Sequence, residues 1–211
     1  MSATMSTTIA RSMRYEDVLI STDFVSLHEV KGIAINLRYA GTNNFVGRSL
    51  YGDHDYAWLH RAAAEGLGKA VAYLQTHQSA YRFLVLDALR PHRVQKMMWE
   101  ALSGSPLQRY FADPAKGSIH SFGMALDLTL IDHAGQEIDM GTGFDSFAAE
   151  SHPEYEAEFL RQGKLTAEQL SHRSILRSAL FHAGFQGIQS EWWHFNFGDP
   201  EEIRKNHARI D

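Results

Sequence analysis

Residues 118–130 contain the clearest strand pattern in the chain and read Ser118-Ile119-His120-Ser121-Phe122-Gly123-Met124-Ala125-Leu126-Asp127-Leu128-Thr129-Leu130. From Met124 onward, large apolar side chains alternate with small or polar ones, and the second set includes Asp127. Alternation with a period of two predicts a half-buried strand. The segment therefore places an acid on the second face of a strand, shortly after a histidine.

His120 and Asp127 lie on either side of a glycine. They are seven positions apart, an odd number, so on one uninterrupted strand their side chains would point to opposite faces. Gly123 lies between them and permits a turn that other residues resist. We therefore expect His120 on an incoming segment and Asp127 on the outgoing strand, an arrangement in which the two side chains can meet.

Hydrophobic periodicity predicts the elements around this strand. Three more strands are expected, over residues 33–39, 82–86 and 191–197. Three helices are expected: within residues 56–77, from Pro91 to Leu102, and from a capping box of Thr166 and Gln169 to Gly184. Helices and strands follow no regular βαβ rhythm, which favours an α+β fold with a mainly antiparallel central sheet flanked by helices, and with the candidate site on the sheet.

Composition limits the class of protein. The chain has 211 residues, 44% of them hydrophobic and 21% charged, with no apolar run long enough to cross a membrane. This predicts one globular domain over residues 13–211 after a flexible N-terminus over residues 1–12. The net charge is −5 without a lysine or arginine stripe, which argues against nucleic acid as a partner. The first twelve residues lack the apolar core of a signal peptide, so a soluble, cytoplasmic protein is expected.

The absence of cysteine restricts any metal site to nitrogen and oxygen ligands. His120, Asp127 and His194 form a set of three such ligands, the number a hydrolytic zinc ion takes from a protein while one position stays open for water. Glu191, three residues before His194, is a candidate general base. Because that spacing is also odd, Glu191 is expected at the end of the last strand or on a bend.

Two other functions fit the same residues. Two histidines and one carboxylate also suit non-haem iron oxygenases, which need no general base in the position of Glu191. A binding protein with a structural zinc ion and no hydrolytic activity is the other alternative.

Several motifs in order give the chain a resemblance to a known family. They are Asp87-x-x-Arg90-Pro91, Ser118-x-His120 through Asp127, Met140-Gly141-x-x-Phe144-Asp145 and Glu191-Trp192-Trp193-His194. In this order the chain resembles the VanX-type D-alanyl-D-alanine dipeptidases, within the zinc peptidase group of D-Ala-D-Ala dipeptidases and carboxypeptidases. The resemblance implies hydrolysis of D-Ala-D-Ala or a related free dipeptide. The nearest alternative is a D,D-carboxypeptidase or peptidoglycan endopeptidase of the same fold.

The resemblance also implies a role for each matching residue. His120, Asp127 and His194 match the ligands of one Zn²⁺ per chain, Glu191 matches the base that deprotonates the attacking water, and Arg90 matches the arginine that stabilises the oxyanion. Four further positions are implied: Asp87 orienting Arg90, Ser118 near the substrate carboxylate, Asp145 pairing with the substrate ammonium, and Tyr39 lining the pocket. The only partner implied is the small dipeptide; the sequence predicts no membrane contact and indicates no oligomeric state.

Two positions depart from the family pattern. Phe122 stands where an arginine usually follows His-Ser, and Ala88-Leu89 replaces the usual Gly-Tyr. Both changes are expected to make the pocket more apolar and to broaden its specificity.

Overall fold

Nine strands and six helices are present in the residues described by the computed structural model, 11–110 and 112–211. The strands are β1 Ser12–Met13, β2 Phe24–Ser26, β3 Ile33–Ile35, β4 Trp58–His60, β5 Arg82–Asp87, β6 Ala125–Ile131, β7 Phe185–Gly187, β8 His194–Phe197 and β9 Arg209–Ile210. The helices are α1 Tyr15–Val18, α2 Arg61–His77, α3 His92–Ala101, α4 Glu156–Arg161, α5 Ala167–His182 and α6 Pro200–Asn206. No helix in these residues is both long and apolar enough to span a bilayer.

The central sheet is mixed and has five strands in the order β3-β5-β6-β8-β7. β6 pairs antiparallel with β5 and with β8, and β8 pairs antiparallel with β7. The expectation of a mainly antiparallel sheet needs one correction, because β3 and β5 run parallel. Parallel neighbours need a crossover connection, and α2 lies in the connection between these two strands.

β6 is buried along its whole length, whereas alternation predicted a half-buried strand. Leu126, Leu128 and Leu130 share a hydrophobic cluster with residues of α2 and α5, such as Leu67 and Leu180. The second face, which carries Asp127, is buried as well. Side chains on both faces are thus fixed by packing.

Three predicted boundaries are corrected. The first helix begins at Arg61 rather than near Tyr56, because Trp58–His60 pairs with β2 and the His60 side chain accepts the N–H of Ala62. Strand β3 ends at Ile35 because the chain enters a 3₁₀ turn at Arg38. The last strand begins at His194, not at residue 191.

The capping box that was predicted to open the third helix is confirmed. Thr166 Oγ1 accepts the N–H of Gln169 at 3.1 Å, and Gln169 Oε1 accepts the N–H of Thr166 at 2.9 Å. Pro91 was predicted as the first residue of the second helix. It is the N-cap instead, and the helix begins one residue later, at His92.

The two ends of the described chain meet. β1 pairs in parallel with β9, with Ser12 opposite Arg209. Of the segment predicted to be flexible, residues 1–10 lie outside the described residues.

Candidate metal centre

Three side chains that are far apart in sequence converge at one point. His120 Nε2 lies 3.1 Å from His194 Nδ1 and 3.3 Å from Asp127 Oδ1, and His194 Nδ1 lies 3.0 Å from the same oxygen. His120 and Asp127 are buried, and His194 is partly buried. The structure thus brings together the three residues that the sequence suggested as metal ligands.

Local geometry explains the convergence. His120 lies on a 3₁₀ helix, Ile119–Phe122, which ends at Gly123 with φ of 66°. A Cβ atom there would lie 2.9 Å from the backbone nitrogen of His60, so the turn requires glycine in both conformation and space. The turn predicted at Gly123 is confirmed, and it returns the chain into β6. Asp127 is then the register partner of His194 on β8.

Outer hydrogen bonds orient both imidazole rings. His120 Nδ1 lies 2.7 Å from the carbonyl oxygen of Ala88, and His194 Nε2 lies 2.9 Å from Asn196 Oδ1. Carbonyl and amide oxygens only accept, so these two ring nitrogens carry the protons. The other nitrogen of each ring therefore points an unprotonated lone pair at the centre.

The donor set fits a divalent cation. Two imidazole lone pairs and one carboxylate oxygen face one another at 3.0–3.3 Å. Because both imidazole protons are on the outer nitrogens, no hydrogen bond can form between the two rings. Donors bound to one zinc ion at tetrahedral angles stand about 3.3 Å apart. The pKa of Asp127 lies below its usual range although burial acts to raise it, and Arg90 Nη2 stands 3.3 Å from Asp127 Oδ2, so the carboxylate is ionised. The site accordingly presents negative charge and lone pairs to a cation.

A buried ion network lies next to the three ligands. Arg90 Nε donates to Asp87 Oδ2 at 2.7 Å, and Arg90 Nη2 lies 2.6 Å from the same oxygen. Arg90 Nη2 also faces Asp127 Oδ2 at 3.3 Å, and Arg90 Nη1 donates to Gln95 Oε1 at 3.1 Å. Asp87 accepts a further hydrogen bond from the Tyr51 hydroxyl. The Arg90 guanidinium is consequently fixed in orientation beside the three candidate ligands.

Tyr39 and Asp145 form a second pair beside Arg90. The Tyr39 hydroxyl donates to Asp145 Oδ1 at 2.8 Å, and the Arg90 guanidinium lies 5.0 Å from the centre of the Tyr39 ring. Asp145 adopts a positive φ of 59°, and its buried Oδ2 atom has no hydrogen-bond partner among the described residues. Burial raises the pKa of Asp145 to about 7, in opposition to the hydrogen bond from Tyr39. An oxygen held in this way is ready to accept from a donor on a ligand.

Glu191 lies between two bends in the loop that leads to β8, outside the strand, which agrees with the expectation from the odd spacing. It lines a cavity of about 300 Å³ together with the three candidate ligands, Arg90, Asp145 and Ser118. Burial raises the pKa of Glu191 to about 7, with Asp127 and Asp145 adding to the effect and His194 opposing it. A carboxylate with this pKa can both accept and release a proton near neutral pH.

The two departures from the family pattern do not reach this cavity. Phe122 is buried in the main hydrophobic cluster, and Ala88 and Leu89 are fully buried. Among the described residues, the cavity lining contains none of the three side chains. These three side chains therefore add no apolar surface to the cavity themselves, and the expectation of a more apolar pocket with broader specificity stays a prediction.

Sequence reasoning missed several supporting residues. Asn196 was detectable in principle, because it follows His194 by two positions and so lies on the same face of β8. Tyr51 and Gln95 gave no sequence signal. Arg173 of α5 also went unnoticed; it donates to the carbonyl oxygens of Met140 and Glu150 at 2.8 and 2.9 Å and so anchors the loop that carries Asp145.

Two imidazoles and a carboxylate around one point, with a separate acid and a fixed arginine in the same cavity, are the arrangement that a metallopeptidase uses. The comparison with protein families agrees. A family model described as D-Ala-D-Ala dipeptidase, of the peptidase M15 group, matches residues 20–210. The chain belongs to this family, whose members are in general zinc-dependent enzymes that hydrolyse dipeptides.

Curated relatives extend over most of the chain. It is 34% identical over 176 residues to the D-alanyl-D-alanine dipeptidase of Escherichia coli, a match that covers 83% of this chain and 84% of the relative. The enzyme of the same name from Synechocystis is 31% identical over 184 residues, covering 73% and 74%. The one from Enterococcus faecium is 28% identical over 191 residues, covering 81% and 88%.

Proposed function

We propose that this chain is a zinc-dependent dipeptidase that cleaves free D-Ala-D-Ala and closely related dipeptides. The observation that carries the proposal is the set of three converging ligand atoms at 3.0–3.3 Å, with Glu191 in the same cavity but outside that set. His120, Asp127 and His194 would hold one zinc ion per chain. When bound there, the ion supplies Lewis-acid polarisation of a carbonyl and lowers the pKa of a water molecule.

Glu191 moves the proton. Its carboxylate takes a proton from the attacking water, whose oxygen forms the new bond to the peptide carbonyl carbon. The same proton then goes to the amine nitrogen as the carbon–nitrogen bond breaks. This releases two free amino acids, one with a newly formed amine and the other with a newly formed carboxylate. A pKa of about 7 supports both transfers.

Arg90 stabilises the negative charge that develops on the carbonyl oxygen. Its guanidinium is held by Asp87 at 2.6–2.7 Å and lines the cavity beside Asp127. A donor fixed before the reaction does not have to reorient during it, and one such donor contributes about 3 kcal/mol to transition-state stabilisation in other enzymes. Asp87 acts on the reaction by orienting Arg90.

Asp145 selects a free amine. Its buried Oδ2 atom lacks a partner, while Tyr39 holds Oδ1 at 2.8 Å. A substrate ammonium group that loses its water in the cavity needs such a partner, because unpaired buried charge is unfavourable. Ser118, buried at the start of the His120 helix, also lines the cavity.

The test is a substrate panel with zinc-reconstituted enzyme. D-Ala-D-Ala should yield two molecules of D-alanine, L-Ala-L-Ala should not be cleaved, and N-acetyl-D-Ala-D-Ala should react at least about 100-fold more slowly because Asp145 loses its partner. Equal rates on the acetylated peptide would indicate a carboxypeptidase or endopeptidase. Zinc binding without hydrolysis of any peptide would indicate a binding protein, and oxygen-dependent turnover with iron an oxygenase.

A further inference from the structure

A second arginine lines the cavity. Arg204 lies on α6, outside the motifs that the sequence singled out, and among the described lining residues it is the only Lys or Arg besides Arg90. Its Nε and Nη2 atoms both donate to the carbonyl oxygen of Gly117 at 3.3 Å. Gly117 immediately precedes Ser118, so Arg204 stands beside the segment that leads to His120.

The charge of Arg204 is less fully matched by acidic side chains than that of Arg90. Arg90 is surrounded by Asp87, Asp127 and Gln95. Within the described part of the chain Arg204 has one acidic partner, Glu201 at 3.2 Å, and the Glu201 side chain is 85% exposed. Water screens such a pair strongly, so the pairing neutralises little of the guanidinium charge.

The cavity needs a cation of this kind. Asp127, Asp145 and Glu191 all line it, and Arg90 is already matched by two carboxylates. A free dipeptide has a carboxylate at one end, which Asp145 and Glu191 would repel, since neither of these acids is a proposed metal ligand. We propose that Arg204 binds the C-terminal carboxylate of the substrate and thereby selects free dipeptides over peptides with a blocked or extended C-terminus. The proposal deepens the proposed function and rests on it.

The local fold fixes the position of Arg204 relative to the metal centre. α6 packs against the 3₁₀ helix that carries His120. Gly117 adopts a φ of 80°, and a Cβ atom there would come within 3.3 Å of the Arg209 side chain. The two hydrogen bonds from Arg204 tie its side chain to the Gly117 carbonyl, so a carboxylate on Arg204 would be positioned relative to the same segment that holds a metal ligand.

Binding and catalysis can be separated in the test. In a zinc-loaded Glu191→Gln background, calorimetric titration compares D-Ala-D-Ala with its C-terminal amide. We expect the free acid to bind at least about tenfold more tightly than the amide. Arg204→Met should remove most of this difference by weakening the acid alone, and Arg204→Lys should restore part of it. Lys205→Met on the same helix is the matched control. It also removes one positive charge, but Lys205 lies outside the cavity lining, so the difference between acid and amide should stay unchanged.

Equal binding of acid and amide to the Glu191→Gln protein with Arg204 intact would overturn the inference, and this comparison needs no substitution at Arg204. An equal loss for both ligands in Arg204→Met would also overturn it, because it would indicate that Arg204 only ties α6 to Gly117. Failure of the proposed function is recognised separately, from whether the zinc-loaded enzyme with an intact Glu191 hydrolyses D-Ala-D-Ala.

Discussion

Replacing Asp87 by asparagine tests the buried network that holds Arg90. Asp87 is fully buried, Arg90 is 6% exposed, and two guanidinium nitrogens lie 2.6–2.7 Å from one Asp87 oxygen. Removing one partner of a buried ion pair leaves the other charge uncompensated and destabilises proteins by about 3–5 kcal/mol. Arg90 retains its contact with Asp127 at 3.3 Å, so we expect a loss of stability at the lower end of this range, about 3 kcal/mol.

The assay is urea unfolding of Asp87→Asn and the parent in the presence of a chelator, so that metal binding adds nothing to stability. For a chain of this length a loss of about 3 kcal/mol corresponds to a melting temperature lower by about 6–12 °C. Glu202→Gln is the control: its pair with Lys205 is exposed, with 3.7 Å between the charged atoms, and it should change stability by less than about 1 kcal/mol. A loss below about 1 kcal/mol in Asp87→Asn would refute the reasoning.

Three further predictions concern the site. Asn196→Leu removes the acceptor that orients His194, and zinc affinity measured against a chromophoric chelator should fall by about 10–100-fold; an unchanged affinity would show that the bond does not orient the ring. Asp145→Asn should raise KM for D-Ala-D-Ala at least about tenfold, since its neutral amide cannot pair with the ammonium; identical steady-state kinetics would exclude this contact. The kcat/KM profile should rise with pH through about 7, because burial raises the pKa of Glu191 and only its deprotonated form accepts a proton; an acid limb near the ordinary glutamate value of 4.5 would argue against this environment.

Local chemistry made part of the fold predictable. The Thr166–Gln169 capping box and the turn at Gly123 are both determined by interactions within a few residues, and both were found as predicted. The beginning of α2 was not, because Trp58–His60 forms a strand only through pairing with Phe24–Ser26. The parallel pairing of β3 with β5 also depends on distant partners.

The site shows the same division. Residue type and spacing identified His120, Asp127 and His194 as a possible set, but their convergence depends on the register of β6 against β8, which no local pattern contains. Ala88 orients His120 through its backbone carbonyl. Every residue has a backbone carbonyl, so the amino-acid sequence gives no sign of this contact. Arg204 comes from a helix near the end of the chain and reaches the cavity only through packing of α6.

The most direct test of the account is the zinc content and turnover of Glu191→Gln beside the parent protein. We expect one zinc ion per chain in both, with hydrolysis of D-Ala-D-Ala about 10²–10⁴-fold slower in the variant, because Glu191 moves a proton and does not hold the ion. Full turnover in zinc-loaded Glu191→Gln, or a parent protein that takes up no divalent cation, would contradict the account.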